Sequence, residues 1–257
     1  MTLKTIVFDM DETLIPDNAQ GEIALLATAR LLPNVEAVKV VDMVTNEAEK
    51  NFQDSSVYEI CRSLGISYFE CLWGSFHDQN SDLLKLADWV LEFRQRTWIK
   101  VLQDLSEDPK LALTLSETFC LERRSRHVPY EETIGVLNTL RKKYSLIMLT
   151  NGSPSLQREK IVGTGIGEFF DGIVISGEVG VGKPDPEMFL VVTNTVGASP
   201  DEVVMVGDSL PRDIAGAQKV GWRAVWVNRN KEILPAEYTP DLVLANLSTL
   251  PEALGGM

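Results

Sequence analysis

The sequence predicts an α/β fold, with a three-layer core around a parallel sheet and an all-helical domain inserted into that core. Short apolar runs occur at residues 5–8 and again from residue 145 onward, and most are followed by polar residues and a helix-like stretch. Between residues 17 and 127 this alternation is absent, and one helix-like stretch follows another. The pattern therefore assigns residues 1–16 and 128–257 to the core domain and residues 17–127 to a helical domain.

The first apolar run ends at two acidic residues separated by a single position. Ile, Val and Phe at positions 6–8 favour a β-strand, and Asp9 and Asp11 follow it. In an open α/β sheet, ligands bind beyond the carboxyl ends of the strands. Two carboxylates this close disfavour each other's ionised form unless a cation lies between them. The pair therefore indicates a metal ion, a shared proton, or both.

Three later strand-like runs also end at polar residues. They cover residues 145–149, 173–175 and 203–206, and a glycine-rich loop at 177–182 follows the second. Right-handed crossovers between parallel strands place all of their carboxyl ends at one edge. The polar residues that follow these runs are Thr150, Asn151, Lys183, Asp208 and Asp213. Taken alone, each is more often a turn or helix-capping residue or, for Lys183, a solvated surface residue, so only the whole set indicates a site.

Periodicity predicts the remaining elements. Two more strands are expected at 224–227 and 241–244, with a closing helix over 247–254. In the inserted domain, apolar spacings and stop signals predict helices over residues 22–32, 35–52, 56–64, 81–105 and 109–124. A few planar or bidentate side chains there are candidates for substrate contact, although a helical-bundle core accounts for them more simply. They are Trp73, Trp89, Trp98, Arg94 and Arg96.

The composition is that of an ordinary globular protein and argues against several function classes. The net charge is −13, from 24 basic and 37 acidic residues, which disfavours nucleic acid or an anionic membrane as a partner. The 3 cysteines and 2 histidines lack the spacing of a zinc site or a disulfide framework. Because the sequence shows neither a signal-peptide pattern nor an apolar run long enough to span a membrane, we expect a cytoplasmic protein with reduced thiols.

The polar residues form four motifs that resemble those of the haloacid dehalogenase superfamily, specifically its phosphatase branch. The motifs occur in the family's order, within residues 3–15 and roughly 129–250. They are D-x-D-x-T at Asp9, Asp11 and Thr13, a threonine after a strand at Thr150, a lysine before Pro-Asp-Pro at Lys183, and G-D-x4-D at Gly207, Asp208 and Asp213. One departure is Glu12, where the family often has glycine or another small residue. It should alter the local charge without abolishing activity.

The resemblance implies a Rossmann-like core with a helical cap. Members of the family's first subfamily carry a C1-type helical cap between the first and second motifs, and residues 17–127 occupy this position. Such a cap closes over the site, excludes water and shapes the pocket for the leaving group. The insertion is longer than the smallest caps of this type, so the contacts of those caps do not transfer to it in detail.

The resemblance also implies a role for each motif residue. Asp9 would be the nucleophile that attacks phosphorus and forms an aspartyl-phosphate. Asp11 would protonate the leaving alkoxide and then activate the hydrolytic water. Lys183, Thr150 and the backbone N–H of Asn151 would hold the phosphoryl oxygens.

Mg²⁺ is the cofactor that the resemblance implies. This ion prefers oxygen ligands and usually keeps several of its waters. Asp9, the backbone carbonyl of Asp11, and Asp208 would bind it. Thr13 and Asp213 would support these ligands.

The sequence therefore predicts a Mg²⁺-dependent phosphatase, a monomer or homodimer, that acts on a small soluble phosphomonoester. Nucleoside monophosphates, phosphosugars and phosphorylated amino or hydroxy acids all fit. The alternatives are a phosphomutase on the same core and a noncatalytic protein that binds a phosphorylated metabolite. A dehalogenase is less favoured, because a halide leaving group needs no acid and the family's dehalogenases lack the second aspartate that this chain has at Asp11.

Overall fold

The computed structural model describes residues 3–256 and divides the chain into two units. The core unit consists of Met1–Pro16 and Val128–Met257, and the helical unit consists of Asp17–His127. Residues 1, 2 and 257 of the predicted core domain lie outside the described residues. Within the described part of the chain, no helix has both the length and the apolar character needed to cross a membrane.

The core unit contains a six-stranded sheet with the order β3-β2-β1-β4-β5-β6. The strands are β1 Thr5–Phe8, β2 Ser145–Thr150, β3 Gly172–Ile175, β4 Val203–Gly207, β5 Arg223–Val227 and β6 Leu242–Leu244. All neighbouring strands are parallel. The strand order reverses at β1, so the carboxyl ends of β1 and β4 flank the crevice in which open α/β sheets bind ligands. The predicted parallel α/β fold is confirmed.

The helical unit contains no strand among its described residues. Its helices are α1 Asp17–Ala29, α2 Ala37–Gln53, α3 Tyr58–Leu64, α4 Tyr68–Cys71, α5 Ser81–Asp104 and α6 Ala112–Arg124, with a 3-10 turn at Pro109–Leu111. Helix α1 begins at Asp17 and not at residue 22 as predicted, because a polar first turn gives no apolar spacing to detect. An acidic residue at this end is favoured by the helix dipole. The short α4 was not predicted, and it starts with a capping box between Ser67 and Glu70.

Three of the candidate substrate-contacting side chains of the helical unit have structural roles. Trp73 and Trp98 are fully buried. Arg94 is buried as well, and its guanidinium donates to the backbone carbonyls of Cys71 and Gly74. These residues therefore stabilise the helical unit itself, as the bundle-core interpretation expects. The two candidates that are not fully buried are Trp89 and Arg96.

Helices cover both faces of the core sheet. They are α7 Thr133–Leu140, α8 Pro154–Thr164, α9 Ser176–Val179, α10 Pro186–Val196, α11 Ala215–Lys219 and α12 Leu250–Ala253. Successive residues of β1 pack into different apolar clusters. Ile6 and Phe8 join the cluster that includes residues of α7 and α12, whereas Val7 joins the cluster that includes residues of α10 and α11. The sheet thus lies between two helical layers.

Candidate active site

The site is built at the carboxyl end of β1. Asp9 continues the strand, because its N–H donates to the carbonyl of Val206 on β4 (2.9 Å). The chain then turns, and the N–H groups of Leu14 and Ile15 both donate to the carbonyl of Met10 (2.8 and 3.2 Å). The side chain of Asp9 is buried. The sheet and the turn together hold it next to the end of β4.

A buried lysine connects the first and last motifs. The Lys183 ammonium donates to Asp9 Oδ1 (2.6 Å) and to Asp213 Oδ1 (2.7 Å). The second oxygen of Asp213 accepts from the N–H of Ser209 (3.0 Å). Burial alone would lower the pKa of Lys183, but the carboxylates of Asp213 and Asp9 outweigh it and raise that pKa above its ordinary value. Lys183 is therefore a fixed positive charge at the site.

The side chain of Asn151 fixes the backbone of Lys183. Its amide nitrogen donates to the Lys183 carbonyl (3.0 Å), and its Oδ1 accepts from the Lys183 N–H (2.8 Å). The sequence predicted a role only for the backbone N–H of Asn151, so this function of the amide was missed. The two bonds join the end of β2 to the loop that carries the lysine.

Three carboxylates gather around the ammonium of Lys183. Ligand oxygens of Asp9, Asp208 and Asp213 lie within 4.8 Å of one another. Burial and the charges of Asp9 and Asp213 raise the pKa of Asp208 to about 8. Burial raises the pKa of Asp213 to about 6, with Lys183 opposing the shift and Asp9 adding to it. Ionised, this lysine cluster carries three negative charges against one positive charge, and its hard oxygen donors suit a Mg²⁺ ion.

Neighbouring residues place Asp208 and Asp213 in this cluster. The Trp226 indole donates to the carbonyl of Asp208 (2.7 Å), and the Thr13 hydroxyl donates to its carboxylate (3.4 Å). The residue before Asp208 is Gly207, where an added Cβ would collide with the side chain of Asp213. Glycine at this position therefore lets both aspartates of G-D-x4-D face the site.

Asp11 contacts a different set of partners. The Lys160 ammonium donates to Asp11 Oδ1 (3.0 Å), and the Gln157 amide nitrogen donates to Asp11 Oδ2 (2.9 Å). The same Gln157 nitrogen donates to Thr150 Oγ1 (2.7 Å). Gln157 and Lys160 lie on α8, and both are fully buried. We call these four residues the α8 cluster.

Gln157 and Lys160 were not predicted from the sequence. Their spacing of three puts them on one face of α8, but polar residues at this spacing are equally expected on a solvent-exposed face. One local feature of the sequence could have indicated them. Ser153 caps α8 directly after the second motif, so the first turns of the helix lie at the carboxyl edge of the sheet. Gly152, with φ +141°, completes this arrangement, since a Cβ there would collide with the Gln157 side chain.

A further group outside the predicted set supports the turn after β1. Arg229 donates to the backbone carbonyls of Glu12 (3.2 Å) and Thr13 (2.7 Å). Its guanidinium lies 3.5 Å from the centre of the Tyr130 ring and pairs with Glu132 at 2.8 Å. Glu12 has φ 60°, in the left-handed region that favours glycine. Where the family usually has a small residue, this chain therefore holds Glu12 in a backbone conformation that costs free energy.

The structure arranges the predicted site residues in two groups. The first group is the lysine cluster, which consists of Lys183, Asp9, Asp208 and Asp213. Hydrogen bonds attach Asn151 and Thr13 to this cluster. Asp11 and Thr150 meet in the α8 cluster through the amide of Gln157. All eight predicted residues thus take part in networks at the carboxyl edge of the sheet.

The sequence profile of the haloacid dehalogenase-like hydrolase family matches residues 3–221. This chain belongs to the haloacid dehalogenase-like hydrolases. The hydrolase is 37% identical over 255 residues to the phosphoserine phosphatase of Thermus thermophilus, and the alignment covers 98% of this chain and 100% of the relative. It is 29% identical over 258 residues to the N-acylneuraminate-9-phosphatase of Homo sapiens, and this alignment covers 98% of this chain and 94% of the relative. The prediction of an enzyme from the phosphatase branch of this family is confirmed.

The fold of this hydrolase is also found in a solved structure. The putative HAD-hydrolase YfnB from Bacillus subtilis, a structure with bound magnesium, aligns with a TM-score of 0.69 and 20% identity over 99% of each chain. At this level of identity the likeness establishes the fold alone. It agrees with the parallel sheet and flanking helices of the core unit.

Proposed function

We propose that this hydrolase is a Mg²⁺-dependent phosphatase that cleaves a small phosphomonoester through an aspartyl-phosphate on Asp9. One observation carries the proposal. A buried carboxylate, Asp9, is held by the Lys183 ammonium, and a second carboxyl group two positions further on, Asp11, is held separately by α8. Hydrolysis through a covalent intermediate needs a nucleophile and an acid in different environments, whereas simple binding of phosphate needs neither.

The reaction has two steps. An oxygen of Asp9 attacks phosphorus, the bond from phosphorus to the alkoxide oxygen breaks, and Asp11 gives its proton to that oxygen. Asp11 then accepts a proton from a water molecule that attacks phosphorus, and the bond to Asp9 breaks to release inorganic phosphate. Lys183 and the Thr150 hydroxyl bind the phosphoryl oxygens, whose charge is spread over all three in the transition state.

The lysine cluster fits the metal ion that the family resemblance implies. Asp9, Asp208 and the backbone carbonyl of Asp11 would hold Mg²⁺, with Asp213 supporting Lys183. The bound ion would neutralise negative charge on the carboxylates and on the phosphoryl group. Support comes from the cluster's excess of negative charge and from the raised pKa of Asp208, both of which a cation would relieve.

The names of the two relatives indicate which substrates to test first. Phosphoserine and the 9-phosphate of N-acylneuraminate, the compounds in the relatives' names, are both small phosphomonoesters that also carry a carboxylate. We infer that the first candidates for this hydrolase are phosphate esters of amino acids and acidic sugars. We further propose that the helical unit, inserted between β1 and β2, is a C1-type cap that selects the leaving group.

The test is inorganic phosphate release from a panel of phosphomonoesters, with Mg²⁺ or with a chelator. The panel includes phosphoserine, acidic and neutral phosphosugars and nucleoside monophosphates, and Asp9→Asn controls for contaminating phosphatases. We expect metal-dependent release that the substitution eliminates. Isomerised sugar phosphate without release would indicate a phosphomutase, and saturable binding without turnover would indicate a binding protein. Halide release from a 2-halo acid would indicate a dehalogenase.

A further inference from the structure

Two buried polar side chains of α8 have no role in the reaction steps above. Lys160 and Gln157 both have 0% of their surface exposed. A buried ammonium is costly to desolvate unless a charged partner lies next to it, and the carboxylate of Asp11 lies 3.0 Å away. Folding alone does not require a buried charge at this position, because an apolar side chain of similar volume would fill the same space.

The amide of Gln157 has only one orientation that fits its neighbours. Its nitrogen carries two hydrogens, and one goes to Asp11 Oδ2 while the other goes to Thr150 Oγ1. The reversed amide would point Oε1 at a carboxylate oxygen and lose the bond to Asp11. In the present orientation, Oε1 is buried and has no hydrogen-bond partner among the described residues. The two bonds made by the nitrogen are thus kept at the cost of an unsatisfied acceptor.

The bond to Thr150 also sets the direction of the threonine hydroxyl. Its oxygen accepts from Gln157, so its own hydrogen must point to another acceptor. Along the backbone, that hydroxyl has only a weak contact with the carbonyl of Asn151, at 3.4 Å. A phosphoryl oxygen bound at the end of β2 would be a stronger acceptor, since it carries charge.

We propose that Gln157 and Lys160 are positioning residues of the phosphoryl-transfer site. They hold the carboxyl group of Asp11 by both of its oxygens, and Gln157 in addition turns the hydroxyl of Thr150 outward as a donor to the phosphoryl group. In the proposed steps neither residue contacts the substrate, and both act through Asp11 or Thr150. The inference rests on the proposed phosphatase function and adds to it the two residues that align its acid and one of its phosphate ligands.

The two residues differ in what they hold, and this difference makes the inference testable. Lys160→Met removes the ammonium that binds Asp11 and leaves the contacts of Gln157 with Asp11 and Thr150 in place. We expect kcat/KM for an alkyl phosphate to fall about 10- to 100-fold, a part of the ~10²–10⁴ that a general acid contributes. For an aryl phosphate with a good leaving group, which needs little protonation, the loss should be much smaller. Competitive inhibition by inorganic phosphate should stay unchanged.

Gln157→Leu removes contacts with both Asp11 and Thr150. We expect the same dependence on the leaving group and, in addition, weaker inhibition by inorganic phosphate. Arg158→Met is the matched control, because it removes a cation from the same helix at an exposed position that pairs with Glu178. It should leave the kinetic constants unchanged. An equal loss of kcat/KM on alkyl and aryl phosphates in Lys160→Met would overturn the positioning role of that residue.

A double-substitution cycle separates a positioning role from a structural one. If Lys160 acts through Asp11, Lys160→Met should cause no further loss of kcat/KM in an Asp11→Asn background. Losses that multiply would show that Lys160 acts independently of Asp11.

Crystal structures of the wild type and Lys160→Met provide a readout that does not need turnover. We expect the Asp11 carboxyl group to leave its wild-type position in the variant, and an unmoved Asp11 would contradict the inference. If instead the wild type releases no phosphate from any ester, the proposed function fails, and the position of Asp11 still decides whether α8 holds it.

Discussion

In the metal-free protein, burial and two neighbouring carboxylates raise the pKa of Asp208 to about 8, so we expect this carboxyl group to hold a proton at neutral pH. A Mg²⁺ ion that binds this carboxylate must displace the proton. We therefore expect Mg²⁺ affinity to rise as the pH increases from 6 to 8 and to level off above 8. Calorimetric titrations in buffers of different ionisation enthalpy would measure both the affinity and the protons released. An affinity independent of pH over this range would show that Asp208 is ionised before the metal binds.

The amide of Asn151 offers a second test at the residue scale. Asn151→Ala removes both hydrogen bonds to the backbone of Lys183 but keeps the N–H of residue 151. Two such bonds together contribute about 1–3 kcal/mol to the free energy of unfolding. We expect that loss in denaturant unfolding, together with weaker inhibition by inorganic phosphate because Lys183 is less firmly placed. Unchanged inhibition would mean that the backbone N–H alone carries the role of Asn151.

The site residues found from sequence differ from those that were missed in where they lie along the chain. Asp9, Thr150 and Asp208 lie at the end of an apolar strand or follow one within a residue, so topology alone brings them together. Gln157 and Lys160 lie inside a helix, where a polar residue is unremarkable in sequence and its burial depends on tertiary packing. Their roles could be read only once the structure showed a lysine with no exposed surface against a carboxylate.

At the scale of elements, the turn after β4 brings the backbone of Gly207 close to the side chain of Asp213. A Cβ at this position would collide with Asp213, which in turn binds Lys183. We expect Gly207→Ala to lower the free energy of unfolding by about 1–3 kcal/mol, as overpacking does, and to reduce turnover as Asp213 and Lys183 shift. Denaturant unfolding and phosphate release would measure the two effects.

Gly135 of α7 is the matched control for this substitution. An added Cβ there meets no atom within 4 Å, and alanine favours a helix by about 0.5–1 kcal/mol over glycine. Gly135→Ala should therefore be neutral or stabilising with normal turnover. Equal behaviour of the two variants would show that the clash at Gly207 is relieved without cost.

The elements themselves were predicted unevenly, for a physical reason. Strands β1, β2 and β4 are apolar runs bounded by polar residues, and their positions follow from the sequence to within one residue. The start of α1 was placed too late and α4 was missed, because a polar first turn or a single turn held by a capping box carries no apolar period. The start of the glycine-rich loop after β3 also forms part of a short helix, α9, which glycine content alone argues against.

At the scale of the whole molecule, each of the two units contains at least one buried ion pair. In the core unit, Lys183 and Lys160 are paired with the aspartates of the site. In the helical unit, Arg123 of α6 pairs with Asp17 at the start of α1, and its guanidinium lies 4.4 Å from the centre of the Trp73 ring. Arg123 is 1% exposed, so its charge has little access to water. This pair connects the first and last helices of that unit.

Removing one partner of a buried pair leaves an uncompensated charge and costs about 3–5 kcal/mol. We therefore expect Arg123→Met to destabilise the helical unit strongly, with Asp17→Asn in the same chain recovering part of the loss. Hydrogen exchange followed by mass spectrometry should show faster exchange in α1 and α6, while the strands of the core unit keep their protection and their stabilisation by Mg²⁺. Faster exchange of equal size in both units would show instead that they unfold as one cooperative body, and the helical unit would then have no independent stability.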